Sequence, residues 1–274
     1  MVNWRSTLAV AGRYVLLIAV LFVMVFPLLW MFRVSLLPAG DLTTGALWSL
    51  EFSLANYGDL FATGSMGRYL FNSTLVALAV IFGNIVFCFM SGYALARWRH
   101  GLNKLLFGSV LAVLMIPAHI VIIPFYVLML KTGLYDTYGA LILPFLVNPI
   151  GIFLIKQYVE GIPPSMEQAA RIDGAGELRI VFQVVMPLCK PALAVLAIQV
   201  FFTNWNSFLF PFILTSSNEL RTLPVGLALL QGHQAIDWPH LMAGSAIAVI
   251  PVLVVFIFLQ KRIVSGITAG AVKQ

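Results

Sequence analysis

"LMAGSAIAVIPVLVVFIFL", residues 241–259, decides which solvent this chain is built for. Twelve of these residues are Leu, Ile, Val or Phe, and none is ionisable. At about 0.3–0.6 kcal/mol of favourable insertion each, they draw the stretch into a bilayer by roughly 4–7 kcal/mol. It reads as a transmembrane helix.

The rest of the chain agrees. It has 274 residues, 61% hydrophobic and 9% charged, where an ordinary soluble domain carries about 25% charged residues. Five more apolar stretches, 14–36, 69–95, 105–130, 138–155 and 192–214, have the length of spans. The first is long and is not followed by a small-residue cleavage site, so it reads as a retained span. The predicted fold is therefore all-α: a polytopic membrane protein with six transmembrane helices, forming one domain over residues 1–274. With the N-terminus inside, twelve of the sixteen Lys and Arg residues fall on the cytoplasmic side, and only Arg33, Arg68, Lys131 and Arg221 on the outer side. This asymmetry puts both termini in the cytoplasm. It also accounts for the net charge of +6 without nucleic-acid binding.

The sequence contains no P-loop, no H-E-x-x-H and no nucleophile elbow. Two cysteines, Cys88 and Cys189, do not make a disulfide framework and read as small buried hydrophobes. No enzyme activity and no metal site are expected. Two outer segments, about 38–68 and 215–240, mix aromatic and acidic residues. They read either as interfacial anchors through Trp48, Tyr57 and Trp238 or as a docking surface for something outside the membrane.

The longest cytoplasmic segment breaks the apolar pattern. Residues 163–187 read "PPSMEQAARIDGAGELRIVFQVVMP". Prolines end the preceding helix. Ser165 is placed to cap a short helix, with Gln168 three residues on. Met166, Ala169, Ala170 and Ile172 give it a small, greasy face. Asp173-Gly174 stops it, because glycine adopts the left-handed conformation cheaply, and a second helix starts near Glu177. Two readings of this elbow stand on the residues alone: a knob for a partner's cleft, or a helix pair lying on lipid headgroups.

The stretch resembles the coupling motif of binding-protein-dependent ABC importer permeases, E-A-A-x-x-x-G-x9-I-x-L-P. The matching positions are Gln168, Ala169, Ala170, Gly174, Val184, Met186 and Pro187. "QAARIDGA", "FPLLWMFRVSL", "NSTLVAL", "GYALAR", "MIPAHIVIIPFY", "GLYDTYGALILP", "LPVGLALLQG" and "GITAGAVK" extend the likeness to the carbohydrate-uptake, maltose/maltodextrin-type branch. The resemblance implies an ATPase-coupling loop built from Glu167, Gln168, Ala169, Ala170, Asp173, Gly174 and Pro187. It implies a second homologous permease subunit, two ATP-binding subunits carrying ATP and Mg, an extracytoplasmic solute-binding protein, and a tail near Ile267–Lys273 that reaches the ATPases. This chain then holds no cofactor of its own. The motif's glutamate falls on Gln168; Glu167 is adjacent but about 100° away around a helix.

Inside the membrane the chain offers amides and prolines where a proton-coupled carrier would place charges. His119 is the one titratable group at depth, read as facing a wet wall or as a lone relay. Pro117 and Pro124 interrupt the third span. Asn148 and Pro149 interrupt the fourth, and Asn204, Trp205 and Asn206 lie in the fifth. They are candidates for the solute path or for interhelix hydrogen bonds. The family's W-N-D/E-F-L-W-P reads "WNSFLFP" here, with Ser207 and Phe210 departing. The expectation is a permease subunit of an ATP-driven importer that moves a sugar or sugar-like solute across the cell membrane by alternating access. Rivals are the same class of importer for a glycerophosphodiester or polyol, and a stand-alone secondary carrier or channel.

Overall fold

The computed structural model describes residues 4–38, 52–62, 65–98, 101–230 and 236–271, with side chains described between 10 and 260. Trp48 and Lys273, singled out above, lie outside the described residues. Helices account for all the regular structure among the described residues. Four helical stretches among the described residues, one of them the interrupted Tyr138–Glu160, are long and apolar enough to cross a membrane, and two bent pairs raise the number to as many as six.

The chain divides into two compact units. One draws on the stretch up to Met66 and on Leu227–Ile250; the other draws on Gly67–Gly226 and the stretch from Pro251.

In the first unit, α1 (Trp4–Ser35) carries an apolar stretch that is almost wholly uncovered, burial beginning only at Val34 and Ser35. Such a surface suits lipid or another apolar bundle and would be untenable in water. Its C-terminal end is tied to α2 (Ala55–Ala62) through Asn56. The Asn56 amide donates to the carbonyls of Ser35 at 2.9 Å and Leu37 at 2.7 Å. Ser35 Oγ also meets Tyr57 Oη at 2.7 Å.

The second unit is built around α3 (Ser65–Arg97), whose 33 residues span roughly 50 Å. The predicted span 105–130 is two helices, α4 (Asn103–Leu114) and α5 (Ile122–Lys131); the second arm, opened by a 3₁₀ turn at Ala118–Val121, lies at 87° to α4. Pro117 cannot donate to the ladder and adopts an extended conformation, so the chain turns there. The stretch 138–155 is also interrupted. After α6 (Tyr138–Ile142) and a 3₁₀ turn, α7 (Pro149–Glu160) restarts with Asn148 as its cap: Asn148 Oδ1 accepts from the Ile150 amide at 2.9 Å.

The elbow follows as α8 (Ser165–Ile172), α9 (Glu177–Arg179), a π-helical turn at Ile180–Val185 and α10 (Met186–Leu188). The stretch 192–214 is α11 (Lys190–Trp205) and then α12 (Leu209–Leu214), broken at 206–208. α13 (Leu223–Leu229) precedes α14 (Trp238–Ala271), which runs through Pro251.

Phe89, Ile155, Val159, Leu196 and Leu214 form the buried centre of the second unit. Near the start of α3 it carries a polar knot. Asn72 donates to the carbonyls of Glu219 and Arg221 at 2.8 and 2.9 Å and accepts from Tyr138 Oη at 2.6 Å. Asp136 has a φ of 57°. It accepts from the amides of Ser216 and Ser217 at 2.8 and 3.0 Å. Burial pushes its carboxyl up, but the Ser217 and Ser216 hydrogen bonds outweigh this and hold it below the usual carboxylate range.

Candidate functional site

Two places can do work. The first is a cavity of about 410 Å³ in the second unit, bounded by α3, the breaks before α5 and α7, and α11–α12. Asn148, Asn204, Gln199, Thr203, Ser207 and Asn84 are among its polar lining residues, set against Phe145, Phe210 and several aliphatic side chains. Among the described residues that line it, none is ionisable. The broken helices supply its character, because irregular backbone at membrane depth is tolerable only where it is covered or wet. Asn84 covers part of it, donating to the carbonyls of Val80 at 2.9 Å and Phe145 at 2.7 Å. Phe145 and Phe210 meet edge to face at 5.3 Å, forming one apolar wall. His119 lies beside Phe210, with ring centroids 6.3 Å apart.

Of the four residues read from sequence for a solute path, Asn148 and Asn204 line this cavity. Trp205 and Asn206 are not in the lining. Trp205 is 4% exposed and stacks on Phe201 at 5.4 Å, while the Asn206 amide donates to the Phe202 carbonyl at 2.8 Å, closing the end of α11. Sequence reasoning passed over Gln199 and Thr203, which precede Ser207, noted there only as a departure from the family stretch, at four-residue steps. It also passed over Ser73 and Asn84, which share a helical stripe with Val76 and Val80. That spacing was the available signal.

The second place is the elbow. The expected Ser165 cap does not form, and the correction has a local cause. Pro163 and Pro164 already lead into the helix, and their carbonyls take the amides of Met166, Glu167 and Gln168 at 3.1–3.2 Å. Ser165 is thereby the first helical residue and not the cap. The stop is as read: Gly174 has a φ of +81°, and the Ala175 amide reaches back to the Ala170 carbonyl at 2.9 Å. Gln168, Ala169, Asp173, Gly174 and Pro187 are exposed, and Ala170 is half-buried. Ile172 and Leu178 project apolar side chains that are 86% and 74% exposed. Arg171 and Glu177 join α8 to α9 through two hydrogen bonds of 2.9 and 3.0 Å. The Arg171 guanidinium holds the Glu177 carboxyl below its ordinary range.

Glu167 does something else. It is 3% exposed and turned into the protein. Arg97 Nε donates to Glu167 Oε1 at 2.6 Å, and Tyr93 Oη donates to Oε2 at 3.0 Å. Both its oxygens are already engaged within the chain.

Residues 84–269 match the protein family described as "Binding-protein-dependent transport system inner membrane component". The arabinooligosaccharides transport system permease protein AraQ of Halalkalibacterium halodurans is 36% identical over 257 residues, covering 92% of each chain. The sulfoquinovosyl glycerol transport system permease protein SmoH of Agrobacterium fabrum is 34% identical over 252 residues, covering 90% of this chain and 88% of its own. In fold, the chain is similar to a crystal structure of a bacterial ABC transporter involved in importing the acidic polysaccharide alginate, with a TM-score of 0.82 at 24% identity, covering 95% of this chain and 98% of that one.

Proposed function

We propose that this chain, which belongs to the binding-protein-dependent transport system inner membrane components, is one permease subunit of an ATP-driven importer whose solute is neutral and polyhydroxylated, of the sugar class. The observation that carries the solute class is the cavity: amides and hydroxyls facing aromatic walls, with no ionisable lining residue. Asn, Gln, Thr and Ser offer paired donors and acceptors to hydroxyl groups. A sugar's C–H faces suit the rings of Phe145 and Phe210.

The relatives are named for solutes that include neutral and anionic molecules. An anionic solute would require its countercharge from another subunit, because this chain's cavity supplies none. The assembly is completed by a second permease subunit, two cytoplasmic ATP-binding subunits that carry ATP and Mg, and an extracytoplasmic solute-binding protein. Both termini face the cytoplasm. The exposed face of α8, with Gln168, Ala169 and Ile172, is where an ATP-binding subunit docks. Its closure drives the spans between inward- and outward-facing states.

The test is uptake by the complete complex in proteoliposomes, offering a neutral oligosaccharide and the same oligosaccharide bearing a uronate. Uptake of the neutral sugar that depends on internal ATP is expected, and none from this chain alone under an ion gradient. ATP-independent uptake, or preference for the uronate, would overturn the proposal. Gln168 stands where the family motif has glutamate. A hydrogen bond to a charged group is worth about 1.5–3 kcal/mol and a neutral one about 0.5–1.5 kcal/mol. Gln168→Glu is therefore expected to assemble normally and to bind the ATP-binding subunit up to about tenfold more tightly by titration in detergent. Loss of assembly in that variant would count against this docking face.

A further inference from the structure

We propose that Arg97 is a positioning residue that locks α8 onto the inner end of α3, so that the short helix and the long span move as one body. The proposal rests on the importer reading for its functional consequence, but not for the lock itself.

α8 has eight residues, too few to hold a helix or an orientation without tertiary support. Among its side chains only Ala170 packs on the apolar core, and the only fully buried one is the Glu167 carboxylate. Beside that carboxylate lies a second cavity of about 410 Å³, lined by Tyr93, Arg97, Trp98, Gln168, Arg171 and Glu177, among others. With open space next to α8, close packing does not fix its angle.

The ion pair does. Arg97 Nε reaches Glu167 at 2.6 Å, and Arg97 Nη2 donates to the Ile162 carbonyl at 2.7 Å. One guanidinium therefore ties the last residue of α3 both to the chain entering the elbow and to α8 itself. The pair is shielded, with side chains 15% and 5% exposed, whereas the Arg171–Glu177 pair is 47% and 68% exposed. Parting a shielded pair leaves an uncompensated charge, while parting an exposed one costs little. A displacement that would swing α8 away from α3 is thereby opposed, and the displacement passes to α3.

The experiment measures uptake per ATP hydrolysed by the complete complex. In Arg97→Ala and Glu167→Gln, hydrolysis stimulated by the loaded binding protein is expected to run on while uptake per ATP falls about tenfold. Glu160→Gln, which removes the solvent-exposed carboxylate from the Lys156–Glu160 pair on α7, is expected to stay within about twofold. If Arg97→Ala does not assemble, Arg97→Lys and Tyr93→Phe decide: each is expected to lower the ratio by a smaller factor, and a wild-type ratio in both overturns the lock. Hydrogen exchange of the α8 amides in the purified protein is the readout independent of transport. Arg97→Ala should accelerate it about tenfold. Unchanged protection sinks the lock whatever the uptake shows. Accelerated exchange in a wild-type background that shows no ATP-driven uptake would sink the importer reading and leave the lock standing.

Discussion

Gly92→Leu is expected to abolish the folded protein: no monodisperse complex should survive extraction in mild detergent. α3 and α7 cross at this residue. A Cβ at Gly92 would lie 2.8 Å from Ile155 Cβ and 2.9 Å from the backbone nitrogen of Lys156. A rotamer change can move the end of a side chain, but it cannot move a helix backbone, and Ile155 is fully buried. Even one added methyl should cost about 1–3 kcal/mol as overpacking. Gly92→Ala is thus expected to assemble with a Tm lowered by several degrees. Gly83 and Gly108 give the contrast. The atom nearest a Cβ at Gly83 is Leu146 Cδ2, the far end of a side chain that can turn away, and a Cβ at Gly108 meets nothing within 4 Å. Gly108→Ala should be neutral or slightly stabilising, because alanine is the better helix former by about 0.5–1 kcal/mol. A Gly92→Leu complex that melts like the wild type would show that α3 and α7 do not approach as described.

Gly92 opens "GYALAR", and the stretch shows what the sequence could and could not say. As a string it marked a resemblance. Its physics needed the third dimension. Gly92 admits α7, while Tyr93 and Arg97, four residues apart on one helical face, both reach Glu167. Nothing local to 163–187 could tell that Glu167 faces inward, because the rotation of α8 about its own axis is set by α3, some seventy positions earlier in the chain. Hydropathy was enough for the spans, since membrane insertion depends on summed composition. Proline and asparagine were enough for the breaks at Pro117 and Asn148, since those are backbone effects. The cavity wall was only half legible. Asn148 and Asn204 stood out against their apolar neighbours. Gln199, Thr203 and Ser207 matter as a stripe, and a stripe is functional only when the opposite wall is known. Trp205 looked like a sugar-stacking group, but its ring is taken up by Phe201.

That stripe carries the second large effect. Thr203→Trp is expected to lower solute uptake at least about a hundredfold, the equivalent of nearly 3 kcal/mol of lost solute contacts, while leaving assembly intact. Thr203 sits on the cavity side of α11 between Gln199 and Ser207 and is exposed, so a larger side chain has room without disturbing the core. In a space of about 410 Å³, an indole takes the volume that a sugar ring would occupy. It also hides the Gln199 and Asn204 amides, which then stay paired with water and no longer with solute hydroxyls. Thr203→Ser keeps the hydroxyl and the space, and should transport within about fivefold of the parent, because a lost methyl is worth only about 1 kcal/mol. Two readouts are needed: uptake in proteoliposomes, and Tm in detergent to show that the fold is unharmed. Normal uptake by Thr203→Trp at an unchanged Tm would mean that solute crosses elsewhere, through the partner permease or between the two chains. The uncharged lining of this cavity would then say nothing about what the importer carries.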